Sequence, residues 1–262
     1  MNTAQLPPLP KRPINWHPLW LSLWLLTVGL VIIHLDISFK SLLQGLGDIV
    51  EYIGQYRSPD FSDLGKYLKL MLETLAIAVW GTAFAFVTSF FLAPLAAKNI
   101  SPHPVIYRAV RELLNFLLSI PDLLFALILV TALGLGPLPG VCALGLHMTG
   151  FLGKFVAESM ERVDKGIYEA VQTTGANFLQ LVMFAAYPSI LREVAGYTLY
   201  SFDRNVRVAT VLGLVGAGGI GVELNANLRF FQYDQAAALI FIIIFTIVGI
   251  DYLSNWLRGK LS

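Results

Sequence analysis

The chain has 262 residues, of which 56% are hydrophobic and 13% charged, with a mean hydropathy of +0.68 and a formal net charge of +1. This balance excludes an ordinary soluble fold and points to a multispanning membrane protein, while the scattered, nearly neutral charge gives no hint of nucleic-acid binding. One cysteine, Cys142, lies in an apolar run, which excludes an internal disulfide, a CxxC redox pair and a cysteine-rich metal site.

In chain order, residues 1–17 form a proline-rich tail with Lys11 and Arg12. The uncharged run that follows is long enough to cross a ~30 Å hydrocarbon core, and no small-residue cleavage site closes it. This favours a first span from Trp20 to Leu35 over a cleaved signal peptide, with Trp16, Trp20 and Trp24 near one interface. Beyond it, Leu42, Leu43, Leu46, Ile49, Val50 and Ile53 recur at helical spacing opposite Lys40, Asp48 and Glu51. That pattern predicts an amphipathic helix lying on the membrane, weakened by Gly45, Gly47 and Gly54.

A second span is expected over the 24 uncharged residues from Thr74 to Ala97, and a third from Leu113 to Leu133 in spite of Pro121 and Asp122. A turn from Gly134 to Gly140 leads to a fourth span, Val141 to about Ala157. Val194 to Leu214 reads as the fifth and carries Asp203, Arg204 and Arg207; Ala236 to Leu257 reads as the sixth, and Arg258 and Lys260 follow it. Six spans put both termini on one side. Eleven Lys and Arg residues fall on that side against five (Lys40, Arg57, Lys66, Lys69 and Arg229) on the other, so by the positive-inside rule the termini are expected in the cytoplasm.

The same rule places the charged, glycine-punctuated stretch from Asp164 to Pro188 in the cytoplasm. Asp164 is expected to cap a short helix whose Ile167, Ala170, Val171 and Thr174 share one face, and Gly175 to end it in a left-handed turn. Such a knob suits a groove on a partner; an ordinary amphipathic surface turn is the plainer reading. Glu169, Ala170, Gly175 and Pro188 resemble the cytoplasmic EAA loop of bacterial ABC importer permeases, E-A-A, three residues, G, nine residues, I-x-L-P; Val171, Ala185 and Tyr187 depart from it.

Past this loop, Tyr197 to Arg207 and the run from Ala209 to Gly221 resemble the penultimate span and glycine-rich loop of phosphonate-type ABC permeases. Ile120-Pro121-Asp122 is similar to that family's I-P-E, and Gly134-Leu-Gly-Pro and Leu144-Gly-Leu-His147 are similar to further segments of it, so the likeness covers about residues 68–257. Asp122 stands for the usual Glu, and Arg204 for a residue more often uncharged. The resemblance implies an all-α membrane protein of six transmembrane helices with type I ABC importer (MetI-like) architecture. Its parts are a tail (1–17), a first helix with an external amphipathic segment (18–67), a permease core (68–257) with its coupling loop (158–188), and a second tail (258–262).

It further implies two ABC ATPase subunits that bind ATP and Mg²⁺, no cofactor in this chain, a second permease copy, and an extracytoplasmic binding protein that delivers phosphonate, phosphite or phosphate. Glu169, Ala170 and Gly175 would then couple the ATPases to the spans. An amino acid as cargo and an ion-coupled secondary transporter are the alternatives; the latter predicts repeats and membrane carboxylates, and only Asp203 reads as an acid well inside a span. No G-x-x-x-x-G-K-[ST], H-E-x-x-H or G-x-S-x-G occurs, which disfavours an enzyme.

Charge within a span costs ~2.5 to 3.5 kcal/mol on insertion scales, so Asp203, Arg204 and Arg207 are expected to face protein or water. Asp203 and Arg207 are four apart and can pair, leaving Arg204 as excess positive charge. Either this face lines a pathway in which Asn205 and Arg207 offer donors to an oxyanion, or it is an ion pair that packs helices. Gly216, Gly218 and Gly221 spell a nominal G-x-G-x-x-G, rejected as a dinucleotide site because no soluble βαβ unit surrounds it. With Gly219 they are expected to form a gate or a packing loop. Pro121 and Asp122 suit the start or a kink of a helix, and His147 reads as a packed polar residue.

Overall fold

A computed structural model describes residues 16–34 and 39–261. The tail residues 1–15, to which Lys11 and Arg12 belong, lie outside the described residues. The chain divides into two compact units, residues 1–55 and 56–262.

The first unit contributes α1 (His17–His34) and α2 (Phe39–Gly54). Helix α1 is apolar all round and buries none of its residues, as suits a helix bathed in lipid. Helix α2 presents Leu43, Leu46, Ile49, Val50 and Ile53 as exposed apolar side chains, and its glycines do not interrupt it.

The second unit is built on three long helices, α3 (Leu64–Ala96), α6 (Pro137–Arg162) and α9 (Tyr187–Leu212). Between α3 and α6 lie α4 (Pro104–Ser119) and α5 (Asp122–Leu133); α7 (Lys165–Gln172) and α8 (Phe178–Leu181) connect α6 to α9; α10 (Ile220–Arg229) and α11 (Tyr233–Leu261) follow. Five helical stretches among the described residues are long and apolar enough to cross a membrane, and six if α4 and α5 together make one span.

The third span is where sequence and structure part. In place of one rod from Leu113 to Leu133, α4 and α5 meet at a bend of 88°. The cause is local: Pro121 has no N–H to continue the α4 ladder and forces Ile120 out of helical conformation, to φ −85° and ψ 120°. The second span likewise begins earlier than expected, since α3 starts ten residues before Thr74 and takes in Lys66, Lys69 and Glu73.

Helix α9 is also longer than its apolar core. It is continuous through a π-helical turn, Val182–Ala186, with α8. Pro188, in the first turn of α9, can donate nothing backwards, and the Ser189 hydroxyl donates to the Ala185 carbonyl at 2.7 Å. A missing donor at a proline accommodates a one-residue bulge.

Small residues set the distance between helices. A Cβ on Gly145 would lie 2.3 Å from the Phe84 ring, and one on Gly150 would lie 2.6 Å from the Leu118 nitrogen and 2.8 Å from the Leu114 carbonyl oxygen. Close backbone approach of this kind is how helices associate where lipid removes the hydrophobic driving force. Polar contacts reinforce it. The hydroxyls of Thr88 and Thr149 meet at 2.5 Å between α3 and α6, and the Tyr187 hydroxyl donates to the Phe90 carbonyl while its ring stacks on Phe90.

Gly150→Ala is therefore expected to force α4 away from α6 and cost about 1 to 3 kcal/mol, read as a lower thermal unfolding midpoint of the purified protein. Gly249→Ala, inside α11 where a Cβ meets nothing within 4 Å, should hold the midpoint or raise it slightly.

Candidate functional site

Three structures carry the chemistry: the short helix between α6 and α9, a charged cluster among α5, α6 and α9, and the glycine loop before α10.

The short helix forms as its sequence predicts. The Asp164 carboxylate accepts from the Gly166 N–H at 2.7 Å, Thr173 closes α7, and Gly175 takes φ +79° with open space around it. Asn177 and Gln180 then form a reciprocal capping box that starts α8. Tyr168, buried, anchors α7 on the end of α6, its hydroxyl donating to the Met160 carbonyl at 2.9 Å. Val171 packs inward beside it, whereas Ile167, Glu169, Ala170 and Thr174 stay exposed. The expected common face is thus split, with Val171 turned to the core.

Around this knob, ion pairs tie the long helices together. Arg162 on α6 donates to Glu193 on α9 at 2.9 Å, and Arg111 on α4 donates to Glu158 on α6 at 3.0 Å. The Lys98 N–H donates to Glu161 at 2.8 Å, and Asn99 donates to the Met160 carbonyl at 3.0 Å. Tyr168 thus seats α7 on the end of α6, and these contacts join that end of α6 to α4, α9 and the turn after α3.

In the charged cluster, Asp203 and Arg207 pair one turn apart on α9. Arg204, expected to be excess charge, is not: it donates to Asp122 at 2.8 Å, with a longer contact of 3.9 Å to the Met148 sulfur. The bend at Pro121 swings the first residue of α5 toward α9, which no spacing along the chain reveals. His147 on α6 completes the group, its Nδ1 2.8 Å from the Ile120 carbonyl oxygen and 3.5 Å from Asp122 Oδ1. A carbonyl only accepts, so Nδ1 carries the proton. His147 thus caps the carbonyl that the proline break leaves open.

Asn205 also departs from expectation. It is fully buried, and its amide donates to the Thr82 hydroxyl of α3 at 2.9 Å, so this donor is engaged in holding α9 against α3. One oxygen each of Asp122, Asp203 and Asn205 is buried without a hydrogen-bond partner among the described residues.

The glycine loop follows a 3₁₀ turn, Gly213–Val215, and runs left-handed at Gly216, Gly218 and Gly219. Its N–H groups are engaged by α3: Gly219 donates to Glu73 at 3.0 Å and Ile220 to the Thr74 hydroxyl at 2.8 Å. Gly221 permits a close crossing, since a Cβ there would lie 2.0 Å from the Thr210 carbonyl oxygen. Glu73 and Thr74 escape sequence reading because a charge at position 73 looks like the edge of a span.

Residues 85–262 match the family model described as the binding-protein-dependent transport system inner membrane component. The chain belongs to this family. The permease is 42% identical over 218 residues to the phosphite transport system permease protein PtxC of Stutzerimonas stutzeri, covering 83% of this chain and 79% of that one. It is 39% identical over 204 residues to the phosphate-import permease protein PhnE of Mycolicibacterium smegmatis, covering 78% of this chain and 38% of that one. In fold it is similar to a chain of the inward-facing MetNI methionine ABC transporter, with a TM-score of 0.66 at 18% identity over 78% of this chain and 99% of that one. A bacterial alginate ABC importer chain gives a TM-score of 0.64 at 17% identity, over 94% of the permease and 99% of its own length.

Burial pushes the Tyr168 hydroxyl up to about 12, so it stays neutral, and its bond to Met160 persists, at physiological pH. Because the folded value lies above the usual ~10, this contribution is complete below pH ~10 and is lost as the pH rises through the folded value. Tyr168→Phe should cost about 1 kcal/mol at neutral pH and remove that alkaline loss, whereas Tyr168→Ala should cost ~3 to 5 kcal/mol, both read by thermal unfolding across pH.

Proposed function

We propose that the permease forms the membrane passage of an ATP-driven importer for a phosphorus oxyanion: phosphonate, phosphite or phosphate. The observation that carries this reading is the pair of arginines, Arg204 and Arg207, on one turn of a long helix in an apolar bundle. Guanidinium groups are costly there and match the forked geometry of a tetrahedral oxyanion. The named cargoes of the relatives, phosphite and phosphate, are of that chemistry. In this reading Arg204 and Arg207 contact the anion, Asp122 and Asp203 balance their charge, and Asn205 fixes α9 to α3. Gly216, Gly218, Gly219 and Gly221 let the loop latched by Glu73 and Thr74 serve as the gate.

The power stroke enters through α7. Ile167, Glu169 and Ala170 are the exposed residues offered to an ATPase subunit, and Gly175 lets the chain reverse beside them. Two such subunits bind ATP and Mg²⁺, so this chain itself holds no cofactor and performs no hydrolysis. A second copy of the permease completes the passage, lipid covers the outer apolar faces, and an extracytoplasmic binding protein delivers the cargo. The excess of Lys and Arg on the side of the termini and α7 supports a cytoplasmic location for all three.

Reconstituted with its ATPase and binding protein, the permease should take up phosphite, phosphate or a phosphonate only with ATP; uptake of none of them would overturn this reading. Arg207→Ala should reduce uptake by about tenfold or more at unchanged abundance. Altering Glu169 and Gly175 together should release the ATPase during co-purification while leaving the permease folded; retention would sink the docking assignment.

A further inference from the structure

Resting on that reading, we propose that Asp122 is a displaceable counter-ion: it occupies Arg204 while the passage is empty and yields the guanidinium to the passing oxyanion. Asp122 is almost completely enclosed, its side chain 11% exposed, yet only one of its oxygens has a hydrogen bond, the 2.8 Å contact from Arg204. An unpaired carboxylate oxygen in such surroundings is costly, so Asp122 gains from any further donor that comes within reach. Arg204 is more open than its partner, at 32%, which leaves part of its side chain accessible while the pair is formed.

Two features leave Asp122 somewhere to rest its charge once Arg204 is taken. It is the first residue of α5, where the open N–H groups and the helix dipole favour a negative charge. His147 Nδ1 also stands 3.5 Å from its unpaired oxygen. That distance is too long for a full hydrogen bond, but a small approach would let the Nδ1–H that caps Ile120 be shared with the carboxylate. The proline break is what makes such an approach possible, since α5 is not locked to α4 by a continuous ladder. Asp122 and the substrate are thus alternative anions for one guanidinium, and release of the cargo is assisted by return of the carboxylate.

The test is binding of inorganic phosphate and phosphite to the purified permease–ATPase complex without its binding protein, paired with uptake by the full system. Asp122→Asn removes the competitor: the complex should hold the anion about tenfold more tightly or better, while maximal uptake falls because release slows. His147→Leu, which offers no donor to either oxygen, should weaken binding several-fold, whereas His147→Asn, whose two amide N–H groups can serve both, should bind as the wild type does. Asp122→Asn combined with Arg204→Gln should bind like Arg204→Gln alone. A purely structural role would move Asp122→Asn and His147→Leu in the same direction and would overturn the proposal. If Asp122→Asn fails to accumulate, the comparison of His147→Leu with His147→Asn decides alone, and unchanged binding in His147→Leu overturns the counter-ion. Uptake of a phosphorus oxyanion by the wild-type system alongside unshifted variants would refute Asp122's role and leave the cargo assignment standing; absence of such uptake would refute both.

Discussion

A polar group inside an apolar bundle has to find its partner within the protein, and the break at Pro121 is where this constraint is felt most. Ending α4 there leaves the Ile120 carbonyl without an intrahelical donor, and His147 on α6 supplies one. The same break turns α5 by 88° and brings Asp122 to Arg204. One missing backbone N–H therefore creates the opening, the histidine that closes it, and the carboxylate that balances a charge on another helix. Placing α4, α5, α6 and α9 in one arrangement satisfies all three.

The rest of the second unit is arranged so that this cluster can exist at all. Helices that approach at glycine and threonine leave little room for water or lipid between α3, α4 and α6, which makes the polar pairs they enclose strong. Asn205 and Thr82 tie α9 to α3 at the level of the cluster. Farther along α3, Glu73 and Thr74 hold the glycine loop. At the other end, Tyr168 fastens the short helix to α6, which the ion pairs of Arg111 and Arg162 join to α4 and α9. The short helix and the cluster thus border one connected set of packed helices.

Hydrophobic run length was a good guide to α1, α6 and α11, and amphipathic spacing to α2, because a lipid solvent imposes its pattern residue by residue. The Asp164 cap, the left-handed Gly175 and the Asp203–Arg207 pair were legible for a related reason: each depends on neighbours within about one turn. The bend between α4 and α5 was harder to read. Its proline is plain in the chain, but a first-turn proline, a gentle kink and a full break look alike before the packing of α5 is known. Likewise Glu73 looked like the boundary of a span because nothing nearby in sequence announces that the Gly219 N–H will meet it.

By itself, then, the order of residues determined that this is a helical membrane protein with an exposed, capped knob between two of its spans, since those properties arise from solvent and from local backbone geometry. The partners of Arg204, Asn205, His147 and Glu73 were decided only by tertiary structure. Each sits on a different helix from the group it meets, and helices separated by tens of residues can be brought into register by close packing at glycine, which leaves no periodic trace along the chain.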